Sequence, residues 1–275
     1  MRINKSDLLY AANHFSDYTS FSKNTIDVWY FSRYKNVGDL VGPYLLMHLT
    51  GKNVRKNIFG ITNHFLTVGS IMDQVTANSH IWGSGFIASS QNICCKPKSI
   101  QLVRGHHSRA KLEKSLDYGP IEVGDPALML PLLYNPTVKK KYPIGLVLHY
   151  SEKGLLKELS LTDSVKVIDV QQDVEPFINE LLECETIISS SLHGLIFADA
   201  YGIPNRWLKM TNNLDGDDFK FADYYSVLYK NELVEPISLS CIEDLNEINK
   251  FKSKCFTVDS YSLALNIKNS FCEYD

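Results

Sequence analysis

Short apolar runs alternate along this chain with segments whose apolar residues recur at the spacing of a helix. Such runs predict buried strands, and the segments between them predict amphipathic helices. In the first half the predicted strands are Ile26–Phe31, Phe65–Val68, His80–Trp82 and Ile100–Val103, and the predicted helices are Asp39–Leu49 and His106–Leu116. Strands that alternate with helices favour a parallel sheet covered on both faces, with ligand sites at the carboxyl ends of the strands.

The alternation is interrupted at Tyr134–Pro143, where two prolines and three consecutive lysines predict a linker. It then restarts, with predicted strands at Ile144–His149, Val165–Val170, Thr186–Ser189 and Arg206–Lys209 and predicted helices at Glu152–Leu159, Val174–Cys184 and Leu192–Tyr201. We therefore expect an α/β protein whose N-terminal domain (1–135) and C-terminal domain (136–240) face each other across a cleft. Two amphipathic helical stretches between Ile242 and Phe271 are expected to pack on these domains as a tail (241–275).

Composition narrows the class of protein. The 275 residues suffice for two domains of ordinary size, and 44% hydrophobic with 21% charged residues is typical of a globular protein. A formal net charge of −3 argues against a nucleic-acid binder with a broadly basic surface. The polar N-terminus and the lack of any run of about eighteen apolar residues predict a cytoplasmic protein. Because the six cysteines lack zinc-ligand spacing, we expect reduced thiols in or near the core and no metal site.

The most informative segment is Thr186–Pro204, in which an apolar strand continues through a series of hydroxyl side chains into a predicted helix. The first turn of that helix carries His193. A helix N-terminus leaves backbone N–H groups unpaired and places the positive end of the helix dipole at the same point, so an anion is stabilised there. We expect the amides from Leu192 to Gly194 to bind a phosphate or carboxylate beside the His193 imidazole. The alternative is a histidine with a structural role.

Other candidates also follow predicted strands, and each has a structural alternative. Asn36 and Asp39 lie where the first helix begins, so Asp39 either faces the cleft or caps the helix. Arg104 ends a strand, where its guanidinium holds an anion bidentately or forms a structural salt bridge. His149 ends the first strand of the second half, where open α/β sheets place functional side chains, unless it is a core or capping residue.

Two glycine-containing segments complete the set. Trp82–Phe86 has glycines that let a ligand approach the backbone near Ser84 and Gly85, although a simple turn also explains them. Asp125 precedes a proline and is expected to cap a helix.

Taken in order, these segments resemble the polysaccharide pyruvyl transferase family, especially its short bacterial members that act on exopolysaccharides. The matching segments are Asn36-x-Gly38-Asp39, Val68-Gly69-Ser70, Trp82-Gly83-Ser84-Gly85, Val103-Arg104-Gly105, Gly124-Asp125-Pro126-Ala127, Leu148-His149-Tyr150, Ser189–Ala200 and Phe219-Lys220-Phe-x-Asp223. The resemblance implies two Rossmann-like domains in a glycosyltransferase-B-like arrangement. It also implies phosphoenolpyruvate as the donor, a sugar as the acceptor, a ketal as the product and no cofactor.

The resemblance also assigns roles to residues. His193 is the leading acid/base candidate, His149 is its alternative, and Asp39 is a base for the acceptor hydroxyl on the acceptor side with Asn36. The expected donor-binding residues are Arg104, Ser84, Gly85, Ser191, Leu192, Gly194 and Lys220. Many family members carry an arginine at the position of Ser191. In this chain the positive groups for the donor are therefore expected to be Arg104, Lys220 and the helix amides.

The expected partners are phosphoenolpyruvate and a sugar or lipid-linked oligosaccharide, with no nucleic acid. A lipid-linked acceptor would bring the protein to the inner face of the membrane as a peripheral protein. Two other classes remain open. The first is a nucleotide-sugar-dependent glycosyltransferase of the same architecture, in which His193 and the glycine-rich loops face a diphosphate. The second is a non-catalytic carbohydrate-binding relative, for which the replacement at Ser191 is the hint.

Overall fold

The computed structural model of the chain describes residues 24–158, 161–211, 216–228, 234–238 and 254–274. The strands are β1 (Thr25–Trp29), β2 (Asn53–Lys56), β3 (His64–Leu66), β4 (Ser79–Trp82), β5 (Ser99–Val103), β6 (Glu122–Val123), β7 (Tyr142–Val147), β8 (Val165–Val167), β9 (Cys184–Ser189), β10 (Asn205–Lys209) and β11 (Ile237–Ser238). The α-helices are α1 (Val37–Thr50), α2 (His106–Glu113), α3 (Leu130–Leu133), α4 (Val174–Leu182), α5 (Leu192–Ala200), α6 (Phe219–Leu228) and α7 (Tyr261–Asn269). Short 3-10 helices occupy Met72–Gln74, Pro126–Met129 and Tyr150–Glu158.

The strands form two separate parallel sheets. The first has the order β2-β1-β3-β4-β5-β6, and the second has the order β11-β10-β9-β7-β8. In each sheet the strand order reverses once, between β1 and β3 in the first and between β7 and β9 in the second. At such a switch point the crossover connections leave in opposite directions, so a crevice opens at the carboxyl ends of the two strands. The segments that follow these four strands are therefore placed to form a site.

The α/β class with parallel sheets is confirmed, and the main errors of prediction lie at the sheet edges. The strands β2, β6 and β11 were not predicted, and all three are edge strands, where a polar sequence such as Asn53–Lys56 buries few apolar side chains. Helix α6 was also missed, because its aromatic residues are typical of strands. Strand β7 begins inside the predicted linker, and the helix predicted at Glu152–Leu159 is the 3-10 helix Tyr150–Glu158.

Apolar packing joins the two halves beside α1. One continuous core cluster contains Val41 of α1 together with Phe177 of α4 and Phe197 of α5. The amide of Val37 donates to the carbonyl oxygen of Val170 at 2.8 Å, so the first residue of α1 is tied directly to the second half of the chain. This contact fixes the N-terminus of α1 near the carboxyl edge of the second sheet.

The C-terminal residues pack back on the first half. Helix α7 lies against Pro126–Met129, and beyond it the Trp82 indole donates to Ser270 Oγ at 3.1 Å. The Tyr274 hydroxyl accepts from the amide of Asp27 at 3.0 Å. Helix α7 lies in the tail between Ile242 and Phe271, for which two amphipathic helical stretches were predicted. Residues 239–253 lie outside the described residues.

The exposure of the cysteines and the length of the helices bear on the expectations drawn from composition. Cys184 is buried, but Cys94, Cys95 and Cys272 are exposed, so the expectation of thiols in or near the core is wrong for those three. Cys241 lies outside the described residues. Within the described part of the chain, every helix is too short or too polar to cross a membrane.

Candidate active site

A cleft of about 400 Å³ lies at the carboxyl ends of both sheets. Its lining comes chiefly from the segments that follow the four switch-point strands, and α6 adds one lysine. The residues that line it are Trp29, Phe31, Asn36, Asp39, Gly69, Ser70, Ile71, Asp73, Gln74, Ile87, Gln91, His149, Tyr150, Ser151, Ser191, Leu192, His193 and Lys220. The topology of the two sheets therefore predicts the position of the cleft.

His193 lies where the two halves touch. A Cβ atom added to Gly38 in α1 would stand 2.1 Å from Nδ1 of His193, so glycine is required for the imidazole to occupy this place. The Nε2 atom is buried and has no hydrogen-bond partner in the described part of the protein. Burial, reinforced by the positive charges of Arg104 and Lys220, lowers the pKa of His193 to about 3. The imidazole is therefore neutral at physiological pH when the cleft holds no anion.

Hydrogen bonds of the Ser189 hydroxyl stabilise the turn that precedes His193. Ser189 Oγ donates to the carbonyl oxygens of Val147 and Ser191 and accepts from the Ser191 amide, all within 3.0 Å. Gly194 packs on this hydroxyl, because an added Cβ would lie 2.3 Å from it. The Ser191 side chain makes no capping hydrogen bond, so the amides of the first turn of α5 are not capped by that side chain. By helix geometry these amides have no intrahelical acceptor.

Asp39 lies in the first turn of α1 and faces the same cleft. The helix cap is Asn36, whose Oδ1 accepts from the amide of Gly38 at 3.1 Å, so the interpretation of Asp39 as the cap is wrong. Burial raises the pKa of Asp39 to about 7, although the charge of Lys56 and hydrogen bonding with Asn36 oppose the shift. A carboxyl group with this pKa exchanges its proton near neutral pH.

Arg104 is buried in the wall of the cleft, and its guanidinium is occupied by protein partners. Its Nε atom donates to Asp223 Oδ2 at 3.0 Å, one terminal nitrogen donates to Ser70 Oγ at 2.5 Å, and the other donates to the carbonyl oxygen of Phe86 at 2.6 Å. Gly85 gives the guanidinium room, since an added Cβ would lie 2.5 Å from Cζ. The salt bridge that was the structural alternative for Arg104 is therefore formed. Arg104 does not itself line the cleft, but it donates a hydrogen bond to Ser70, which does.

Asp223 anchors the helix that carries Lys220. Besides Arg104, its carboxylate accepts from the amide of Ser108 at 2.7 Å and from the Ser108 hydroxyl at 2.6 Å. Its backbone presses on Gly105, where an added Cβ would lie 1.8 Å from the Asp223 carbonyl oxygen. These contacts fix α6 on the first half of the chain and present Lys220 to the cleft. No role was predicted for Asp223, because its partners are distant in sequence.

The structure brings most of the predicted site residues together. Seven of them line the cleft: Asn36, Asp39, His149, Ser191, Leu192, His193 and Lys220. Arg104, Ser84, Gly85 and Gly194 are buried and do not line it. The hydroxyl of Ser84 has no hydrogen-bond partner among the described residues. His149 is held by a 2.7 Å contact between its Nδ1 and Ser151 Oγ, with its ring centroid 4.4 Å from that of Tyr150.

The apolar and amide side chains that line the cleft were not predicted as site residues. Trp29 and Phe31 had been interpreted only as strand residues, and Asp73 and Gln74 belong to a 3-10 turn that no pattern indicated. No role was predicted for Tyr150, although it follows His149 directly in the sequence. Among the described residues, no group of three or more His, Cys, Asp or Glu side chains is arranged to hold a metal ion.

Comparison with known proteins agrees with the resemblance seen in the motifs. Residues 101–212, which include Arg104, His149 and His193, match the sequence profile of the polysaccharide pyruvyl transferase family. The chain belongs to the polysaccharide pyruvyl transferase family. Membership in this family indicates a transferase with a role in polysaccharide biosynthesis.

Two curated relatives and one solved structure are similar to this pyruvyl transferase family member. An uncharacterized protein of Acanthamoeba polyphaga mimivirus is 32% identical over 216 residues, which cover 74% of this chain and 75% of the viral protein. The succinoglycan biosynthesis protein ExoV of Rhizobium meliloti is 26% identical over 170 residues, which cover 58% of this chain and 52% of ExoV. The crystal structure of a functionally uncharacterized protein from Klebsiella pneumoniae aligns with a TM-score of 0.47 at 16% identity, covering 86% of this chain and 97% of that chain.

Proposed function

We propose that this protein transfers the pyruvyl group of phosphoenolpyruvate to two hydroxyls of one sugar, in a surface polysaccharide or its precursor, and releases phosphate. The observation that carries the proposal is the cleft, whose lining brings His193, Lys220 and the N-terminus of α5 together with Asp39 at the two switch points. In this proposal the two sheets act as two Rossmann-like domains in a glycosyltransferase-B-like arrangement. The donor lies toward the second sheet, and the acceptor lies toward the first.

Donor binding relies on a small number of positive groups. Phosphoenolpyruvate has a phosphate and a carboxylate, and Lys220 is the only lysine or arginine among the described residues that line the cleft. The amides of the first turn of α5 supply further donors for an anion. Because the guanidinium of Arg104 is occupied, its role in the proposal is electrostatic and positional, exerted through Ser70.

The chemistry adds one proton to carbon and removes one proton from each of two hydroxyls. A proton is added to the methylene carbon of the donor, and the oxygen of the first sugar hydroxyl forms a bond to C2 and loses its proton. The bond from C2 to the phosphate oxygen breaks, the second hydroxyl forms the second bond to C2 and closes the ketal, and its proton leaves with the phosphate, so there is no net oxidation. We assign the first proton to His193 and removal of the hydroxyl proton to Asp39, whose pKa of about 7 suits a base near neutral pH. His149 is the alternative proton carrier.

Binding of the donor changes the electrostatic environment of His193 in favour of this assignment. The pKa of His193 is low because the residue is buried and, in smaller part, because Arg104 and Lys220 are nearby cations. An anion bound beside these cations offsets their charge and raises the pKa of the imidazole. His193 then takes up a proton when the donor binds and can return it to the methylene carbon.

The deciding experiment is mass spectrometry of candidate sugar acceptors after incubation with the protein and phosphoenolpyruvate, together with measurement of released phosphate. We expect the pyruvyl mass increment, and we expect His193→Ala to lower turnover by about 10²–10⁴-fold. The exposed histidine at the far end of α1 provides a matched control, His48→Ala, which should keep full activity. Product formation from a nucleotide sugar, or sugar binding without any turnover, would overturn the proposal.

A further inference from the structure

A second cavity, of about 500 Å³, lies on the other side of α6 from the cleft. Lys220 of α6 lines the cleft, whereas Ala222, Tyr225 and Ser226 of the same helix line the second cavity. At 3.6 residues per turn these three positions lie about half a turn from Lys220, so the helix separates the two spaces. The second cavity, here called the α6 cavity, has no part in the reaction proposed above.

Trp207 lines the α6 cavity and carries a buried hydrogen-bond donor. Its indole is stacked on the Phe221 ring, with a centroid distance of 4.3 Å and an interplanar angle of 13°, and lies 6.4 Å from the ring centroid of Tyr225. The residue is only 6% exposed, and its Nε1 atom has no hydrogen-bond partner among the described residues. Buried polar groups are nearly always hydrogen-bonded, because an unpaired one is costly. A ligand oxygen bound in the cavity would supply the missing acceptor.

The lysine and the aspartates of the α6 cavity already have partners in the protein. Lys209 forms an ion pair with Asp218. Asp217 accepts hydrogen bonds from the amide and the hydroxyl of Ser89, and these bonds hold the pKa of its carboxyl group below the usual value. Glu235 adds a third carboxyl group at an exposed position. The described lining therefore offers no unpaired lysine or arginine to a phosphate or carboxylate.

Two further basic groups have to be counted. His107 lines the cavity at an exposed position. Arg206 precedes Trp207 in β10 but does not line the cavity; its guanidinium donates to the carbonyl oxygen of Glu235 at 2.7 Å and lies 5.5 Å from the centre of the Phe256 ring. With both groups included, acids and bases around the cavity balance. This balance favours a ligand that has no charge.

An uncharged sugar ring has the chemistry that this lining requires. Its oxygens can accept from the Trp207 indole, and its hydroxyls can donate to the carboxylates. Its C–H face can pack on the aromatic ring of Tyr225 and on the apolar side chains of Val234 and Pro236. Pockets that bind small molecules combine apolar surface with a few polar groups in this way, and a volume of about 500 Å³ lies within their usual range.

The linings of the cleft and of the α6 cavity meet at the N-terminus of α6. Asp217 lines the α6 cavity and accepts from the amide of Ser89 at 3.0 Å, and Ile87, two residues before Ser89, lines the cleft. Gly216 packs directly on this segment, because an added Cβ would lie 2.2 Å from the carbonyl oxygen of Ile87. A chain of linked sugars that occupies both spaces would cross the protein at these residues.

We infer that the α6 cavity is a second sugar-binding site, which holds an uncharged ring other than the one that is pyruvylated. The choice of a sugar as the ligand rests on the proposed function, whereas the cavity and the buried indole donor do not depend on it. The ring is either part of the acceptor chain or a free sugar. The two sources are distinguishable, because only a ring of the chain makes a long acceptor bind more tightly than a single ring.

The test uses the sugar that shows the pyruvyl mass increment, prepared as a single ring and as a neutral oligosaccharide that contains this ring. Binding of each is measured by isothermal titration calorimetry without phosphoenolpyruvate, so that no turnover occurs. If the second ring belongs to the acceptor chain, the wild type should bind the oligosaccharide about tenfold more tightly than the single ring. If the second ring is a free sugar, the single ring should bind at two sites.

Three variants connect the binding to the α6 cavity. Ala222→Trp places a large side chain at an exposed position of the lining, so it should remove the advantage of the oligosaccharide or the second site. Trp207→Phe keeps an aromatic ring next to Phe221 but lacks the N–H group, so it should lower the same affinity by about threefold. Ala110→Trp is the matched control, because Ala110 is an exposed residue of α2 that does not line the cavity. It should bind both sugars as the wild type does.

Two results would overturn the inference. One is a wild type that binds the single ring at one site and the oligosaccharide no more tightly. The other is wild-type binding of both sugars by Ala222→Trp. In either case, pyruvyl transfer to the single ring leaves the proposed function intact. If no sugar shows the mass increment, the proposed function fails, and the same titrations with neutral hexoses and their oligosaccharides still decide whether the α6 cavity binds sugar.

Discussion

Replacing Gly38 by alanine tests whether the contact between α1 and His193 sets the geometry of the site. Gly38 lies in the first turn of α1, where alanine would ordinarily stabilise the helix by about 1 kcal/mol. Here the added Cβ would lie 2.1 Å from Nδ1 and 2.6 Å from Cγ of His193, whereas ordinary contacts begin at 3.4 Å. The imidazole or the helix must therefore move by about 1.3 Å.

The gain in helix propensity offsets part of the cost in stability, but it does not offset the effect on catalysis. Overpacking in a folded interior costs about 1–3 kcal/mol, and the gain in helix propensity offsets about 1 kcal/mol of it. We therefore expect Gly38→Ala to lose about 0–2 kcal/mol of unfolding free energy and to remain folded. A displacement of about 1 Å at a reacting group lowers the rate by about 10²-fold, so kcat should fall by about that factor.

Steady-state kinetics and urea unfolding measure the two quantities separately. Gly154→Ala is the matched control, because no atom lies within 4 Å of a Cβ added at that exposed position. It should keep wild-type turnover. If Gly38→Ala kept wild-type kcat while its structure showed the imidazole displaced, the position of His193 would not matter for the reaction. An unfolding free energy lowered by more than about 4 kcal/mol would show that the contact is chiefly structural.

Four further predictions concern the charges around the cleft. Asp223→Asn leaves the buried guanidinium of Arg104 without its counter-charge, so we expect a loss of about 3–5 kcal/mol in urea unfolding. Lys220→Met should raise the KM for phosphoenolpyruvate by at least about tenfold in steady-state kinetics, and Lys220→Arg should recover part of the loss because one positive charge returns. The folded pKa of Asp39 is raised from 3.8 to about 7, so the unfolding free energy of the wild type relative to Asp39→Asn should fall as pH rises from about 4 to about 7. The pKa of His193 is shifted in the opposite direction, from 6.5 to about 3. The unfolding free energy of the wild type relative to His193→Gln should therefore fall as pH falls from about 6.5 to about 3.

The fold class was predictable because its signal is local. Alternation of apolar runs with helical periodicity depends on neighbouring residues, and it was strongest for strands that are covered on both faces, such as β4 and β9. It failed for β2 and α6, where position in the sheet or packing against distant side chains decides the structure. Asp125 illustrates a local rule that worked: it caps the 3-10 helix Pro126–Met129 by accepting from the amide of Ala127 at 3.0 Å.

The candidate site was predictable only to the extent that it follows strand ends. Asp39, His149 and His193 each come after a predicted strand, and the parallel topology brings such positions to one edge. The salt bridge that engages the Arg104 guanidinium was not predictable, because its counter-ion Asp223 lies 119 residues further along the chain. Asp73 gave no signal either, since a short 3-10 turn has no periodicity to detect.

The order of events in the proposed reaction follows from the charges that surround His193. Without a donor, burial keeps the imidazole neutral, and the charges of Arg104 and Lys220 reinforce this effect, so the imidazole holds no proton for the methylene carbon. The donor is the anion that offsets those cations, so its binding favours protonation of the imidazole. In the proposed reaction the sugar lies beside Asp39, which accepts a proton only in its ionised form. The proposed reaction therefore needs a protonated His193 and an ionised Asp39 at the same time, and donor binding favours the first of these two states.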